Sequence, residues 1–349
     1  AFNAIGNAAT LTVSSGGVLT LGTLTVFNGG QIVTGGSPMF FHQLDQVNSV
    51  TFNSYLQTSA GLVKADGGVL TITAPQYFTG TVTLDGGQLQ INTSGAFPVL
   101  PSITTPTLAN LVVNNDGNSS SGLYLLGNST VVGNLTSNNP LPGSGGYIYP
   151  NAVGPSGGAL LTSASTTPGV FSGTLGLAGG YSPSNPLSLT RSGSVLTLTN
   201  DNTYRGNTNI RGGGITLRDS GKLSGTNQIN NYYGTLTLDE TGLSNVSYRL
   251  SSQSYSGASF YGGTLTVLAN DLGSAEKGSN AGAIKLSAGA SNINITPLTG
   301  NLDGGSVGLI LTRPGFGATV NFAANTGTLG LGGYGNPQIT LVGIPDGTL

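Results

Sequence analysis

One phrase of residues occurs twice, and its form restricts the fold more than any other feature of the chain. Gly67-Gly68-Val69-Leu70-Thr71-Ile72-Thr73 leads on to Phe78, Gly80, Leu84, Gly86-Gly87, Leu89 and Ile91. Shifted by 126 residues without a gap, the same positions hold Gly193, Val195-Leu196-Thr197-Leu198-Thr199, Tyr204, Gly206, Ile210, Gly212-Gly213, Ile215 and Leu217. Each of these apolar positions keeps its place while the polar residues between them change. A unit of this kind has an inward face to bury and an outward face left free, and it buries the inward face by stacking on its neighbours.

Alternation along the chain shows what is stacked. Leu11-Thr12-Val13, Val18-Leu19-Thr20-Leu21, Val82-Thr83-Leu84, Thr235-Leu236-Thr237-Leu238, Thr264-Leu265-Thr266-Val267 and Asn292-Ile293-Asn294-Ile295 place aliphatic residues on one side and Thr or Asn on the other. That is the period of a half-buried strand, and β-branched Thr suits its wet face. Glycine pairs beginning at 16, 29, 67, 86, 212 and 262 mark the turns, where positive φ is free of steric cost. The nineteen residues from Gly68 to Gly87 hold two or three strands, so the expected winding takes roughly 20 to 25 residues, each about 4.8 Å above the last. The expected fold is all-β: a right-handed parallel β-helix, or β-solenoid, with protruding loops. Helical periodicity is weak throughout, and Asn270 to Asn280 is the best place for a short helix or a solvated loop.

Composition removes several other classes. The 349 residues include 59 glycines and only 6% charged residues, yet 37% are hydrophobic; disorder goes with low hydrophobicity and high net charge, and glycine does not recur every third residue as collagen requires. A net charge of −2 with ten basic residues, and no basic cluster interleaved with aromatics, gives no nucleic-acid footprint. There is no cysteine, which removes disulfides and thiolate metal sites and fits an exported bacterial protein. No apolar run reaches the ~20 residues of a membrane-spanning helix.

The expected organisation is one continuous β-solenoid over 1–349, with a first set of coils in 1–137, looser coils with long loops in 138–190 and a second set in 191–349. The middle section holds seven of the sixteen prolines, which cannot donate to a ladder. The chain reads as a fragment of a longer one: it opens at Ala1 with no signal-like segment and stops at Gly347-Thr348-Leu349 within a strand-like phrase.

The phrase Val195 to Gly206, followed by Thr208, Ile210 and Gly212-Gly213-Gly214-Ile215, closely resembles the autotransporter-associated β-strand repeat. The copy from Gly61-Leu62-Val63-Lys64 to Asn92 resembles the same repeat with its usual Gly-Leu-x-Lys opening. Its turn departs from the pattern, with Ala74-Pro75-Gln76-Tyr77-Phe78 where Asn-Thr-Tyr is expected. The two copies cover about 55 residues well. Ala283 to Ser291, and Leu311-Thr312-Arg313 with Ala318 to Phe322, resemble the spacers between such repeats. The resemblance implies a secreted right-handed β-helix of passenger type, within a large bacterial surface or exported protein.

Candidate chemistry is sparse. His42 is the only histidine, three residues before Asp45, but no serine is placed to be activated by it, and a partly exposed loop histidine is the plainer reading. Asp66 and Asp85 are nineteen residues apart, about one coil, and Asp201, Arg205, Arg211, Arg218 and Asp219 form the densest ionic group. Paired carboxylates of that kind serve glycosidases, but acids beside Gly-Gly are turn formers that repetition stacks of itself; Asp239-Glu240 reads the same way. Asp66-Gly67-Gly68 and Asp303-Gly304-Gly305 do not continue into the calcium-binding nonapeptide. The thirteen tyrosines show no regular spacing and read as packing rather than glycan platforms. No catalytic, cofactor or metal residue is assigned. The expected function is a non-enzymatic rod, stalk or fibre at the bacterial surface or outside the cell. Its expected partners are neighbouring repeats or other copies stacking end to end. The alternatives are an adhesin binding a glycan or host surface through exposed loops, and a polysaccharide-acting β-helix enzyme.

Overall fold

The structure is a computed structural model that describes residues 10–13, 16–20, 25–58, 60–93, 97, 99–100, 107–114, 121–150, 158–176, 186–244, 246, 249–250, 257–269, 275–276, 284–296, 306–309, 311–312, 317–324, 329 and 338–341. Among them every regular element is a β-strand. The chain divides into two compact units, Ala1–Ser165 with Gly169–Leu187, and Thr166–Pro168 with Ser188–Leu349.

In the first unit, strands far apart in sequence lie side by side and parallel. One row runs Thr10–Val13, Thr25–Thr34, Ser49–Thr58, Val69–Ile72, Gln88–Ile91, Gly122–Tyr124, Tyr147–Tyr149 and Thr174–Leu175. A second runs Gly16–Thr20, Met39–Gln43, Gly61–Ala65, Thr81–Leu84, Leu111–Val113 and Leu135–Thr136. The chain alternates between the rows, and each return places a strand beside the one it left a winding earlier. Parallel pairing needs such a crossover, and here a second strand and its turns provide it. This is a solenoid-like, all-β arrangement. Antiparallel pairing among the described residues of this unit is confined to Val99–Leu100 with Thr107–Leu108 and to a single bridge between Asn114 and Gly145.

Register follows the repeat. Val69 lies beside Gln88 and Ile72 beside Ile91, and in the second unit Val195 lies beside Gly214 and Leu198 beside Leu217. Both copies of the phrase therefore wind in nineteen residues. Other windings are longer: Gln88 lies beside Gly122, Gly122 beside Tyr147, and Ile229 beside Ala258. The extra residues go into turns, since the paired strands keep their alternation.

That alternation builds the core. Val50, Leu70, Leu89, Leu123, Ile148 and Leu175 are successive neighbours across the first row and all are buried. Leu196, Ile215, Leu236, Leu265 and Ile293 form the matching column in the second unit. Each such side chain contributes roughly 1.5–3 kcal/mol on leaving water, and each winding repeats the contribution without a new design.

The second unit pairs Leu187–Gly193, Thr208–Arg211, Ile229–Tyr232 and the start of Ala258–Leu268 in one row. Val195–Leu198, Gly214–Arg218, Thr235–Asp239 and the end of Ala258–Leu268 form another. The rows meet where Ala258–Leu268 bends at Gly262 and Gly263, both at positive φ. The spacer-like segments are further rungs: Ile284–Thr296 pairs with Ala258–Leu268 and then with Leu311–Thr312 and Thr319–Ala324. In the segment expected to be helical or looped, Ala275–Glu276 is strand; its other residues lie outside the described set.

Candidate functional site: corner residues and lateral faces

The turn of the repeat contains a buried amide in both copies. Asn202 is fully buried; its Nδ2 donates to the carbonyls of Asn200 at 2.7 Å and Lys222 at 3.2 Å. Gln76 occupies the equivalent place and is also buried. Its Nε2 donates to Ala74 O at 2.7 Å and Ser54 O at 3.1 Å, and its Oε1 accepts from Leu56 N at 2.8 Å. The departure from Asn in the first copy thus keeps the bond to the carbonyl two residues back, and the longer side chain reaches the preceding winding instead of the following one. Such bonds satisfy backbone groups that a buried corner would otherwise strand. The repeat's aromatic position is structural as well. Tyr204 is wholly buried, with its hydroxyl against Thr208 Oγ1 at 2.5 Å, and Thr208 bonds Thr226, which donates to Gly206 O at 2.9 Å. Burial pushes the Tyr204 phenol well above its usual range.

Among the described residues three cations are buried. Lys64, the lysine of the Gly-Leu-x-Lys phrase, is buried, and its Nζ donates to the carbonyls of Ala65 at 2.8 Å, Asp66 at 2.7 Å and Gly86 at 3.1 Å. Two of these belong to its own turn and one to the next winding, so the ammonium ties two corners together. Arg191 is buried and donates to Ser194 O at 2.8 Å and Val195 O at 3.3 Å; desolvation lowers its pKa. Arg249 is buried against Glu240, with Nε to Oε1 at 2.5 Å and Nη2 to Oε2 at 2.9 Å, and also donates to Gly221 O at 2.7 Å. Cations at corners suit the chemistry, because a turn between parallel strands directs carbonyl oxygens that no ladder satisfies.

The acids singled out in the sequence go to separate places. His42 is on the strand Met39–Gln43 rather than in a loop, and its Nδ1 meets Asp66 Oδ2 at 3.0 Å, one winding on. Asp45, its sequence neighbour, instead closes a turn, accepting from Val47 N at 2.8 Å, Asn48 N at 3.2 Å and Asn48 Nδ2 at 2.7 Å. Those bonds, the Asn48 side chain first, hold its carboxyl below the usual range. Asp66 and Asp85 do not stack. Lys64 pairs with Leu84 and Asp85 N donates to Lys64 O, which puts Asp85 level with Ala65; its carboxylate takes Asn114 Nδ2 at 2.6 Å.

The ionic group of the second unit is likewise dispersed. Asp201 accepts from Ser224 Oγ at 2.6 Å, Arg218 faces Asp239 at 3.7 Å, and Asp219 accepts from Leu243 N at 2.5 Å. Arg205 is exposed in the turn before Thr208–Arg211, and Arg211 lies over the Tyr232 ring, 5.1 Å from its centroid. Among the described residues no three His, Cys, Asp or Glu side chains are gathered as a metal site would need, and no helix is long and apolar enough to cross a membrane.

Tyrosines, which have no sequence period, nevertheless meet ring against ring. Tyr124 and Tyr149 have centroids 4.5 Å apart and Tyr147 and Tyr149 5.4 Å; Tyr232 and Tyr261 are 4.6 Å apart and nearly parallel. Tyr147 and Tyr149 share one strand; the irregular spacing of the other two pairs reflects unequal winding lengths, which paired strands convert into neighbours. One tyrosine stands apart. Gly212, Tyr233 and Gly262 occupy the same corner on three successive windings, linked by Gly212 N to Tyr232 O and Tyr233 N to Gly262 O, with φ of +69°, +57° and +77°. A residue with a Cβ is strained by about 1–2 kcal/mol there, and Tyr233 recovers little of it by burial, being 75% exposed. Its sequence signal is Tyr233-Gly234 in place of the Gly-Gly pairs at 212 and 262.

Comparison with family models, with curated proteins and with solved structures finds no match to this chain.

Proposed function

We propose that this chain is a non-enzymatic structural segment of an exported bacterial surface or extracellular protein, a rigid stalk or fibre section built as a right-handed parallel β-helix. The observation that carries the reading is the in-register return of the chain: Leu70 on Leu89 and Leu196 on Ile215, nineteen residues apart in both copies of the repeat. Such an arrangement lengthens by adding windings and needs no reacting group. The buried polar side chains support it, since Gln76, Asn202, Lys64 and Arg249 all bond main-chain carbonyls of turns. Resemblance to the autotransporter-associated repeat supplies the surface location, by analogy of sequence phrase. Unpaired strand edges at a terminal winding would be covered by neighbouring repeats or by another copy end to end.

Single-molecule pulling between handles at the two ends tests the mechanical role. Release of windings of 19 to 34 residues, the range set by the Val69–Gln88 and Gln88–Gly122 pairs, extends the chain by about 60 to 120 Å per winding. Extension without measurable resistance would refute it. Protease shaving of intact cells that carry the protein tests location: a protein cleaved only after lysis would not be at the surface.

A further inference from the structure

The Tyr233 corner lies beside the stacked Arg211, Tyr232 and Tyr261 of the second unit. Arg211 pairs in register with Tyr232, and Tyr232 stacks on Tyr261. On the next winding the partner of Tyr261 is Ala288, too small to continue the stack. The Tyr233 ring lies over Gly262, close enough that a Cβ at Gly262 would meet its Cε1 at 2.7 Å. Three tyrosines and an arginine therefore share one lateral face. The strands that make this face, Leu187–Gly193, Thr208–Arg211, Ile229–Tyr232, the Ala258–Gly263 stretch and the Ile284–Ser291 stretch, contain no Asp or Glu; Arg191 on the first of them is buried, and Arg211 and Lys285 are the cations that are not. Arg211 is exposed and has no carboxylate partner among the described residues.

We propose that this face binds an acidic polysaccharide, a polymer of carboxylated sugars running along the stacked windings. An arginine fork matches a carboxylate in two parallel bonds, and its position over Tyr232 holds the guanidinium before the ligand arrives. Tyrosine offers a ring for the apolar face of a sugar and a hydroxyl for its polar rim. Successive windings present side chains at an interval of about 4.8 Å, a straight row suited to an extended polymer. A phosphodiester backbone fits less well, because its affinity comes from many neutralised phosphates and, among the described residues of these strands, Arg211 and Lys285 are the only cations that are not buried. The strained, exposed Tyr233 where the equivalent windings use glycine is the independent sign that this corner serves a ligand. The inference does not depend on the scaffold role, since a rod segment and a non-rod alike can carry it.

Affinity electrophoresis of the full chain through gels containing polygalacturonate, neutral dextran or a single-stranded oligonucleotide tests it. The expected result is retardation by polygalacturonate alone, weakened at least tenfold by Tyr233→Gly and by Arg211→Gln, with the thermal midpoint of Tyr233→Gly unchanged or raised. Lack of retardation by polygalacturonate, equal retardation by dextran, tighter binding of the oligonucleotide, or variants that bind as the parent does would each overturn it. Arg211→Gln changes an exposed side chain and keeps the test decisive should Tyr233→Gly disturb the corner.

Discussion

Replacing Arg249 by Met keeps most of the side-chain volume and removes every donor. In the structure Arg249 gives two bonds to Glu240 and others to the carbonyls of Gly221, Asp239 and Ser244. Glu240 is itself only 3% exposed, so Arg249→Met leaves a carboxylate in the interior with the Val246 amide, at 3.3 Å, as a remaining donor. Breaking a buried pair from one side costs about 3–5 kcal/mol. Removing both charges with Arg249→Met and Glu240→Gln abolishes the stranded charge, and the double variant should recover about 2 kcal/mol of that loss while still leaving Gly221 O without its donor. Urea unfolding followed by far-ultraviolet circular dichroism reads the difference. With a slope near 2 kcal/mol per molar, the single change shifts the midpoint down by about 1.5–2.5 M. A shift below about 0.5 M, or a double variant whose loss equals the sum of the singles, would show that the pair is not the closed, buried unit described.

Lys64→Met should cost about 2–4 kcal/mol in the same assay, since three carbonyls lose a charged donor at once, and Lys64→Arg should restore only part of it because a planar fork replaces a compact ammonium; equal stability of the Met variant would contradict the corner role. Leu70→Ala and Leu196→Ala, at matched positions of the two copies and both buried, should each destabilise by about 2–5 kcal/mol, and a negligible effect at either would place that residue outside the core. Gly61→Ala should prevent the local pairing, because φ is +105° and a Cβ would come within 2.0 Å of Thr81 O; hydrogen exchange in the Thr81–Leu84 strand should rise sharply, and unchanged protection would refute the close approach. Stability should fall above about pH 10, because the unfolded chain ionises its tyrosines at the ordinary value while burial keeps Tyr204 neutral. The loss therefore grows as pH rises, and Tyr204→Phe should flatten that limb; an identical alkaline limb in the variant would argue against a buried phenol.

Particular residues show how much of this was legible in the sequence. Period-two alternation located the strands, because it follows from a face that is buried on every pass, and the nineteen residues from Gly68 to Gly87 came close to the winding, which is slightly shorter in both copies of the repeat than the roughly 20 to 25 residues expected. Windings longer than expected were not legible, since extra residues enter turns without altering the paired strands, as between Gln88 and Gly122. The same irregularity hid the tyrosine pairs. Tyr232 and Tyr261 have no period in common with Tyr124 and Tyr149, and only register reveals both pairs. His42, expected in a loop, is on a strand that exposes Phe40 and His42 and buries Phe41 and Gln43, an alternation that the run Phe40-Phe41-His42-Gln43 does not display in its residue types. Asp66 and Asp85 looked stacked because their spacing equals one winding of the neighbouring row, whereas their own row advances twenty residues from Gly61 to Thr81. Apart from the Gly-Leu-x-Lys phrase that ends at Lys64, the buried cations left no signal beyond scarcity: a chain with 6% charged residues that keeps Lys64 and Arg249 inside uses both to bind carbonyls.

Engineered disulfides test the stacking of windings most directly, because the chain has no cysteine of its own. Thr71 and Gln90 are outward-facing register partners, as are Thr197 and Thr216 in the second copy, and parallel neighbours about 4.8 Å apart fall within disulfide reach. Thr71→Cys with Gln90→Cys, and Thr197→Cys with Thr216→Cys, should close rapidly under mild oxidation, while Thr71→Cys with Gln88→Cys should close far more slowly. Preferential closure of the displaced pair, or failure of both in-register pairs, would contradict a parallel return of the chain every nineteen residues.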